Sequence, residues 1–388
     1  MPGYEVFILL VKPLKIAVIA PFEESVPPVT YGGTEFMVHI LVEELHREGH
    51  SVTLFASGDS KVSCRLVPIV PQAIGSGKGK RLREALTYQG LIRVAQYLKA
   101  ERFDIIHNHL TSGWQTLLFK DVFLGPVVTT THFVLSGECD TTMYRQFKDM
   151  PYISISNSQR TLLPELNYVA TIYHGLDLEP FHYNPEAGSY LAYLGRLSPG
   201  KGPAEAIEIA KRTGLRLLIA AKINDFERDY YEHVLRPQID GKQIVYLGEV
   251  NLPGKVELLR NALALVNPVH LHESFGLTNI EAMATGTPVV ALRNGALPEI
   301  IVHGKTGFLC SSVDEMAAAV RQVDRIDRTA CRRHIEENFT AEKMANQYVG
   351  VYRQLAEQYE AATRAFGRRG MAANSMQSRN QFATGRIG

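Results

Sequence analysis

The residues best suited to chemistry stand in two stretches of the second half of the chain. Arg196 and Lys201 lie among glycines, after an apolar strand and before a helix. Glu273 and Glu281 stand eight positions apart, where another strand leads into a helix. Two cations beside the amino end of a helix can neutralise a diphosphate, and such carboxylates can accept hydrogen bonds from sugar or ribose hydroxyls. The structural alternatives are that the two cations are solvated loop residues, that Glu273 caps a helix and that Glu281 is an exposed helical residue.

Two enzyme classes that use similar residues fit less well. Residues 195–201 satisfy G-x-x-x-x-G-K, the opening of a P-loop, but Gly202 replaces the hydroxyl residue that would hold Mg²⁺. A retaining glycoside hydrolase needs two carboxylates about 5 Å apart across the scissile bond. Because Glu273 and Glu281 belong to one loop–helix segment, they cannot easily flank a sugar from opposite sides.

Candidate residues in the first half also follow predicted strands. Gly32 and Gly33 stand between a strand and a helix, where glycines let the backbone approach a ligand closely. An ordinary turn would explain them equally well. His132 follows a threonine-rich strand and could donate to a sugar hydroxyl or to developing charge, although a lone strand-end histidine is more often a structural donor.

Two histidine pairs have the spacing of a metal clip. His107 with His109, and His270 with His272, each place two imidazoles on one face of a strand, as a zinc site would require. No third ligand from another segment is specified. The sequence therefore predicts no metal site.

The elements that must position these residues alternate between strand and helix twice. This rhythm predicts parallel sheets covered on both faces, with ligands at the carboxyl ends of the strands. The predicted strands are residues 14–20, 51–56, 104–107, 127–131 and 152–156 and, after a linker at 177–188, residues 190–194, 215–220, 243–247, 263–267 and 288–291. The predicted helices include residues 34–49, 81–100, 203–213 and 341–362. The tail, residues 366–388, has almost no apolar surface to bury and is predicted to be disordered.

Composition excludes several classes of protein. A chain of 388 residues predicts two or three domains. With 41 basic and 40 acidic side chains, it lacks the charge expected of a nucleic-acid-binding protein. The four cysteines are scattered, so they signal neither a zinc module nor a disulfide framework. They are Cys64, Cys139, Cys310 and Cys331.

The sequence also bears on location. The apolar run at residues 6–11 is too short to span a bilayer and lacks the features of a signal peptide, so we expect a cytoplasmic protein. The basic run that begins at Lys78 and ends at Arg83 could rest on phospholipid head groups at the inner membrane face. A solvated mobile loop is the commoner explanation of such a run.

Taken together, these stretches resemble the retaining glycosyltransferases of family four, which have the GT-B architecture. The resemblance spans residues 15–359 and includes an E-x₇-E motif. It is carried by the first glycine pair, TTTHF at residues 129–133, GRLSPGKG at 195–202, ESFGLTNIEAMATGTPVVA at 273–291, NGALPEI at 294–300 and GKTGFL at 304–309. It implies an α/β protein with two facing doubly wound, Rossmann-like domains and an interdomain cleft. We expect an acceptor-side domain at residues 13–180, a nucleotide-sugar-binding domain at 185–338, and C-terminal helices at 339–365 that cross back to the first domain.

The resemblance implies a hexosyltransferase that takes a nucleotide-diphosphate sugar as substrate and needs no metal ion or cofactor. Its acceptor would be a hydroxyl of a saccharide, a lipid or a small molecule. Arg196 and Lys201 would bind the donor diphosphate, Glu273 the sugar hydroxyls and Glu281 the ribose hydroxyls. His132 would lie beside the transferred sugar. Further donor contacts are implied for Gly32, Gly33, Phe275, Gly276, Leu277 and Thr278.

Two positions depart from the family pattern. Asn294-Gly295-Ala296 replaces the usual glycine pair, and His174-Gly175-Leu176-Asp177 replaces the usual Asn-Gly-Val-Asp. Other functions remain open on the same architecture: a nucleotide-sugar epimerase, a sugar phosphorylase, or a non-catalytic nucleotide-sugar-binding subunit. A sugar-transport receptor is disfavoured because export would need a signal sequence.

Overall fold

A computed structural model describes residues 12–30, 32–75, 77–135, 137–224 and 227–383, with side chains to residue 365. The first sheet contains seven parallel strands in the order β3-β2-β1-β4-β5-β6-β7. The strands are β1 Lys15–Ile19, β2 Ser51–Ser57, β3 Arg65–Val70, β4 Ile105–Asn108, β5 Val127–Thr131, β6 Tyr152–Ser154 and β7 Tyr168–Thr171. The predicted strands are confirmed, and β3 and β7 are additional ones at the two edges.

The second sheet repeats this topology with six parallel strands in the order β10-β9-β8-β11-β12-β13. The strands are β8 Tyr190–Arg196, β9 Arg216–Lys222, β10 Ile244–Gly248, β11 Ala264–Asn267, β12 Val289–Leu292 and β13 Gly307–Cys310. In each sheet the strand order reverses beside the first strand, as in Rossmann-like folds. Two doubly wound domains are therefore confirmed, with β13 added to the prediction.

Helices pack against the sheets and bury the apolar stripes of the sequence. In the first domain they are α1 Gly33–Arg47, α2 Lys80–Ala100, α3 Trp114–Leu117, α4 Glu138–Gln146 and α5 Asn157–Arg160. In the second they include α6 Pro203–Thr213, α7 Arg228–Tyr230, α8 Leu252–Arg260, α9 Leu277–Ala284, α10 Leu297–Ile300, α11 Val313–Val320 and α12 Arg328–Asn338. Within the described residues, no helix is both long and apolar enough to cross a bilayer.

The last helix, α13 Ala341–Ala383, returns to the first domain as expected. Whereas α12 packs on α9, α13 packs on α1 and β4. The crossing is fixed by backbone hydrogen bonds from Leu176 to Phe339 (2.8 Å) and from Ala341 to Leu176 (2.9 Å).

Helix α13 also runs through most of the segment predicted to be disordered. The prediction rested on the scarcity of apolar side chains, but extending an existing helix needs no new nucleus. The segment also contains good helix formers such as Ala, Met, Gln and Arg. Helical backbone therefore replaces the predicted disorder as far as Ala383, and the rest of that prediction, residues 384–388, lies outside the described residues.

Candidate functional site

The candidate residues gather at the carboxyl edges of the two sheets. In the second domain, β8 leads to Arg196 and Lys201, and neighbouring β11 leads to Glu273. In the first domain, β1 leads to Gly32 and Gly33, and β5 leads to His132. The second-domain group and the Gly32–Gly33 pair lie where the strand order reverses, the place at which doubly wound sheets bind ligands, and His132 follows a strand one position further along the sheet.

The loop that carries Lys201 is held by close backbone contacts. Gly202 has φ +72°, and a Cβ there would lie 2.1 Å from the carbonyl oxygen of Pro268, so only glycine fits. The carbonyl of Gly200 accepts from the backbone amides of His270 (2.9 Å) and Leu271 (3.1 Å) in the loop after β11. The two loops that supply cations and carboxylates are thus joined directly.

Each of the two predicted cations lies near a carboxylate, and the two contacts differ in length. Lys201 Nζ lies 2.5 Å from Glu273 Oε2, and both side chains are mostly buried. The Arg196 guanidinium lies 4.0 Å from Glu227 Oε1, which is buried without a hydrogen bond to any described residue. Arg196 is thus held loosely, with a third of its side chain exposed, and can reach an anion.

The main chain of Glu273 rests on the loop in which the usual glycine pair is altered. Gly295 has φ +53°, and a Cβ there would lie 2.2 Å from the Glu273 carbonyl oxygen. Ala296 has φ −77° and donates its amide to that oxygen (2.8 Å). The steric demand for glycine falls on Gly295 alone, so Ala296 is accommodated.

Helix α9 begins between the two glutamates with its first-turn amides free of any side-chain cap. Gly276 precedes it with φ +96°. A Cβ on Gly33 would lie 3.4 Å from Leu277 Cδ1, so the glycine pair of the first domain lies against this helix start. Thr278 is half-buried in the same turn. Amides at a helix amino end favour an anion.

Glu281 lies further along α9, buried and paired with Lys255 of α8. The Lys255 ammonium also lies 5.0 Å from the ring centroid of Phe36 in the first domain. Phe275, by contrast, packs its side chain between aromatic rings of the domain junction. Only its backbone could therefore face a donor.

The first-domain side of the cleft carries an acid close to the glycine pair. A Cβ on Gly32 would lie 3.1 Å from Glu35 Oε2 and 2.7 Å from Pro28 Cβ. Burial, reinforced by nearby Glu23 and Glu24, raises the pKa of Glu35 to about 7. Near neutral pH this carboxyl is therefore about half ionised, beside the backbone expected to meet a diphosphate.

His132 lies in a buried cluster of imidazoles. Its ring stacks on that of His174 at 5.3 Å with an interplanar angle of 10°, and His174 meets the edge of Phe275 at 4.9 Å. Burial lowers the pKa of His132 to about 3 and holds the pKa of His174 well below its usual value. Both rings are therefore neutral at physiological pH. His174, which departs from the family pattern, is thus in direct contact with His132.

The histidine pairs do not form metal clips. His107 and His109 hydrogen-bond to each other (3.0 Å), whereas His270 bonds to Glu205 (2.9 Å) and His272 to Ser158 (3.1 Å). Across the described part of the chain, no group of three or more potential metal-binding side chains converges.

Some side chains of the basic run at residues 78–83 contact the protein, and others are exposed to solvent. Lys78 donates to the carbonyl of Ile74 (2.5 Å), and Arg83 Nε is buried. Lys80 and Arg81, at the start of α2, are exposed.

Contacts between the domains hold the Glu273 loop from the opposite side. The Glu299 carboxylate accepts hydrogen bonds from the backbone amides of Asn157 (2.8 Å) and Ser158 (2.7 Å) at the start of α5. The Ser156 hydroxyl donates to the carbonyl of Ser274 (2.7 Å). The first domain therefore helps to position the loop that supplies Glu273.

Sequence reasoning missed Lys255 and Glu227 as partners of predicted site residues. Neither belongs to a glycine-rich loop or to an acidic motif, so the sequence carries no local signal for them. His174 was visible only as a departure from a family pattern. Its place beside His132 depends on the strand order of the first sheet, in which β7, which precedes His174, lies two strands from β5, which precedes His132.

The sequence matches two glycosyltransferase families over adjoining regions. Residues 31–180 match Glycosyltransferase Family 4, and residues 179–338 match Glycosyl transferases group 1. The chain is 25% identical to D-inositol 3-phosphate glycosyltransferase of Corynebacterium efficiens, covering 86% of this chain and 91% of that protein. It is 26% identical to phosphatidyl-myo-inositol mannosyltransferase of Mycobacterium leprae, covering 79% and 86% respectively.

Solved structures with the same architecture confirm the fold. Sucrose-phosphate synthase from Thermosynechococcus elongatus superposes with a TM-score of 0.76 at 20% identity, over 88% of this chain and 98% of that one. The Anabaena protein HepE, in complex with UDP-glucose, superposes with a TM-score of 0.70 at 18% identity, over 88% and 100% respectively.

Proposed function

We propose that the chain, whose two halves match Glycosyltransferase Family 4 and Glycosyl transferases group 1, is a retaining, metal-independent hexosyltransferase of family four with the GT-B fold. It would move a sugar from a nucleotide-diphosphate donor to a hydroxyl acceptor. The observation that carries this proposal is the convergence of Arg196, Lys201 and the uncapped start of α9 at one sheet edge. Family relatives act on inositol phosphates and phosphatidylinositol, which supports a polyol or saccharide hydroxyl as acceptor.

The reaction begins with cleavage of the anomeric C–O bond. The bonding electrons go to the diphosphate, leaving an oxocarbenium-like sugar. Arg196, Lys201 and the first-turn amides of α9 stabilise the growing negative charge, the electrostatic contribution that is usually largest. These fixed positive groups supply the charge neutralisation that a divalent ion would otherwise provide.

The acceptor then attacks from the face that the diphosphate leaves, so the anomeric configuration is retained. The leaving phosphate oxygen takes the acceptor's hydroxyl proton on that face, and no protein base is required. Glu273, oriented by Lys201, accepts hydrogen bonds from sugar hydroxyls, and Glu281, oriented by Lys255, accepts from the ribose diol. Closure of the domains excludes water and limits donor hydrolysis.

The proposal is tested with the purified full chain in two steps. A thermal-shift screen against UDP, GDP, ADP and their sugars identifies the donor, because a ligand that binds the native state raises its melting temperature. The best donor is then incubated with saccharide, polyol and lipid acceptors, and NMR of the product gives the anomeric configuration. We expect a product of retained configuration and undiminished turnover in EDTA.

Each competing function gives a different result in the same experiment. Turnover that depends on added phosphate would indicate a phosphorylase, and a changed sugar without acceptor would indicate an epimerase. Nucleotide binding without release of nucleotide from any donor would indicate a non-catalytic subunit. Loss of activity in EDTA that Mn²⁺ restores would contradict metal independence.

Location at a membrane is a separate part of the proposal. Lys80 and Arg81 are exposed at the start of α2, where they can approach anionic head groups. Sedimentation with anionic vesicles should exceed that with neutral vesicles and should be lost in the Lys80→Glu, Arg81→Glu variant. Equal sedimentation with both vesicles would exclude a role for these cations.

A further inference from the structure

A row of buried hydrogen bonds connects the returning helix α13 with His132. Tyr352 of α13 places its hydroxyl 2.6 Å from His107 Nδ1. His107 Nδ1 also lies 3.0 Å from His109 Nε2, and His109 Nδ1 lies 2.8 Å from His132 Nε2. At the other end, His132 Nδ1 is buried and has no hydrogen-bond partner among the described residues.

Each of the three imidazoles in this row carries a single proton. Burial holds the pKa of His107 and of His109 well below the usual value, as it does for His132. A neutral imidazole has one N–H donor and one nitrogen that accepts. Two nitrogens that both present lone pairs, or that both present N–H groups, would repel at these distances. The position of the proton on one ring therefore fixes its position on the next.

Only two arrangements satisfy this rule along the row. In the first, Tyr352 donates to His107 Nδ1, His109 donates to the same atom from Nε2, and His132 donates from Nε2 to His109. In the second, His109 donates from Nδ1 to His132 Nε2, and the single Nδ1–H of His107 is shared between His109 Nε2 and the Tyr352 oxygen.

The first arrangement leaves fewer buried donors without acceptors. The second arrangement strands two: the Tyr352 hydroxyl and an Nδ1–H on His132. The first arrangement leaves the Nδ1 lone pair of His132 without a donor. It also leaves one hydroxyl proton without an acceptor in the pair formed by Thr130 and Tyr348, whose oxygens are 3.2 Å apart. His107 Nε2 then donates to Thr130 Oγ1 at 2.8 Å. Buried N–H donors without partners are rarer than unsatisfied acceptors, so the first arrangement is favoured.

We propose that Tyr352, acting through His107 and His109, fixes the tautomer of His132 so that its Nδ1 lone pair serves as a hydrogen-bond acceptor. Only the identity of the ligand, a hydroxyl of the donor sugar or of the acceptor, rests on the proposed function. His132 then accepts a hydrogen bond from a hydroxyl without taking up its proton, and the alternative role of donor to a sugar oxygen is excluded. Tyr352 is a positioning residue because it acts on His132 through two other rings.

The tautomer can be measured in the full chain without any turnover. Long-range ¹H–¹⁵N spectra of protein labelled at histidine distinguish protonated from unprotonated ring nitrogens, and the His132→Asn variant identifies the His132 signals. We expect unprotonated Nδ1 and protonated Nε2 in the wild-type protein. Protonated Nδ1 would overturn the proposal, whether or not the chain proves to be a glycosyltransferase.

The role of Tyr352 is tested with a matched pair of tyrosines on one helix. Tyr352→Phe removes the hydroxyl on His107, whereas Tyr348→Phe removes one that contacts Thr130. We expect the His132 nitrogens to shift towards the other tautomer in Tyr352→Phe and to stay unchanged in Tyr348→Phe. Identical His132 signals in both variants would remove Tyr352 from the proposal.

Kinetics supply the functional part of the test. In Tyr352→Phe we expect kcat to fall about tenfold relative to Tyr348→Phe, the equivalent of one hydrogen bond, with KM for the donor unchanged. A rise in KM at constant kcat would show that the row supports donor binding alone and would contradict this role for His132 during transfer.

Discussion

The two domains share one topology but present opposite chemistry at the cleft. The second contributes ion pairs: Lys201 with Glu273, and Lys255 with Glu281. The first contributes glycine backbone and imidazoles kept neutral by burial, including His132 and His174. Fixed charges suit a diphosphate, whereas neutral groups suit a sugar that becomes positively charged only in the transition state.

The difference also shows what each domain can tolerate. Removing one member of a buried ion pair leaves its partner as an uncompensated charge, so the second domain should respond strongly to single substitutions. The imidazole side should respond mainly to protonation, because charge is what its burial excludes.

Loss of either cation that we propose to bind the diphosphate should have the largest effect. Arg196→Ala and Lys201→Ala should each lower kcat about 10²- to 10³-fold, as expected when one group that stabilises the transition state is removed. Steady-state kinetics with the donor found in the screen measure this. Lys211→Ala, on the exposed face of α6, is the control. Near-normal turnover in both site variants would reject the role of this loop.

Loss of Glu281, the carboxylate that we propose to bind the ribose, should affect binding more than turnover. Glu281→Ala removes a charged acceptor and leaves Lys255 without its partner, so the Kd for the nucleotide should rise about ten- to hundredfold. Isothermal titration calorimetry measures the change, with Glu257→Ala on the exposed side of α8 as the control. Unchanged affinity would assign Glu281 to a purely structural ion pair.

The sequence predicted the central strands and one edge strand, β10, and missed the edge strands β3, β7 and β13. Interior strands such as β1 and β11 are continuous apolar runs because both faces are buried. The strand β3 contains Pro68, which an edge can tolerate because one side of its backbone needs no partner. The strand β7 is only half-buried along its length, so its pattern is weak.

For the candidate site, the sequence singled out residues by their local spacing, and their roles stay predictions. The glycines and cations at residues 195–202 were predictable because backbone geometry demands glycine there. Lys255 was not, since its pairing with Glu281 is made between two helices. His107 and His109 suggested a metal clip because alternate residues share one face of a strand. What covers that face is Tyr352, which only the return of α13 brings there.

The unfolding free energy should depend on pH through a buried imidazole of the first domain, His174. The native pKa of His174 is well below the usual value, so the unfolded state binds more protons as the pH falls and stability decreases. Between pH 7 and 5 one such imidazole costs about 2 kcal/mol of unfolding free energy. Urea denaturation should therefore show that, between pH 7 and 5, His174→Asn loses about 2 kcal/mol less unfolding free energy than the wild-type protein does.

The control for this measurement is His233→Asn, which changes an exposed imidazole in the second domain. Its loss of stability between pH 7 and 5 should match that of the wild-type protein. The same dependence in His174→Asn as in wild type would show that His174 is protonated in the native state.

The smallest expected effect concerns Glu35, an acid close to the glycine pair of the first domain. Glu35, whose pKa is about 7, gains negative charge as the pH rises from 6 to 8, so affinity for a nucleotide sugar should fall about three- to tenfold. An intact nucleotide sugar is the right ligand because a terminal phosphate titrates in the same range. Glu35→Gln should bind with little pH dependence, and Glu43→Gln, further along α1, should behave as wild type. A persistent pH dependence in Glu35→Gln would place the titrating group elsewhere and show that the first domain meets the diphosphate with backbone alone.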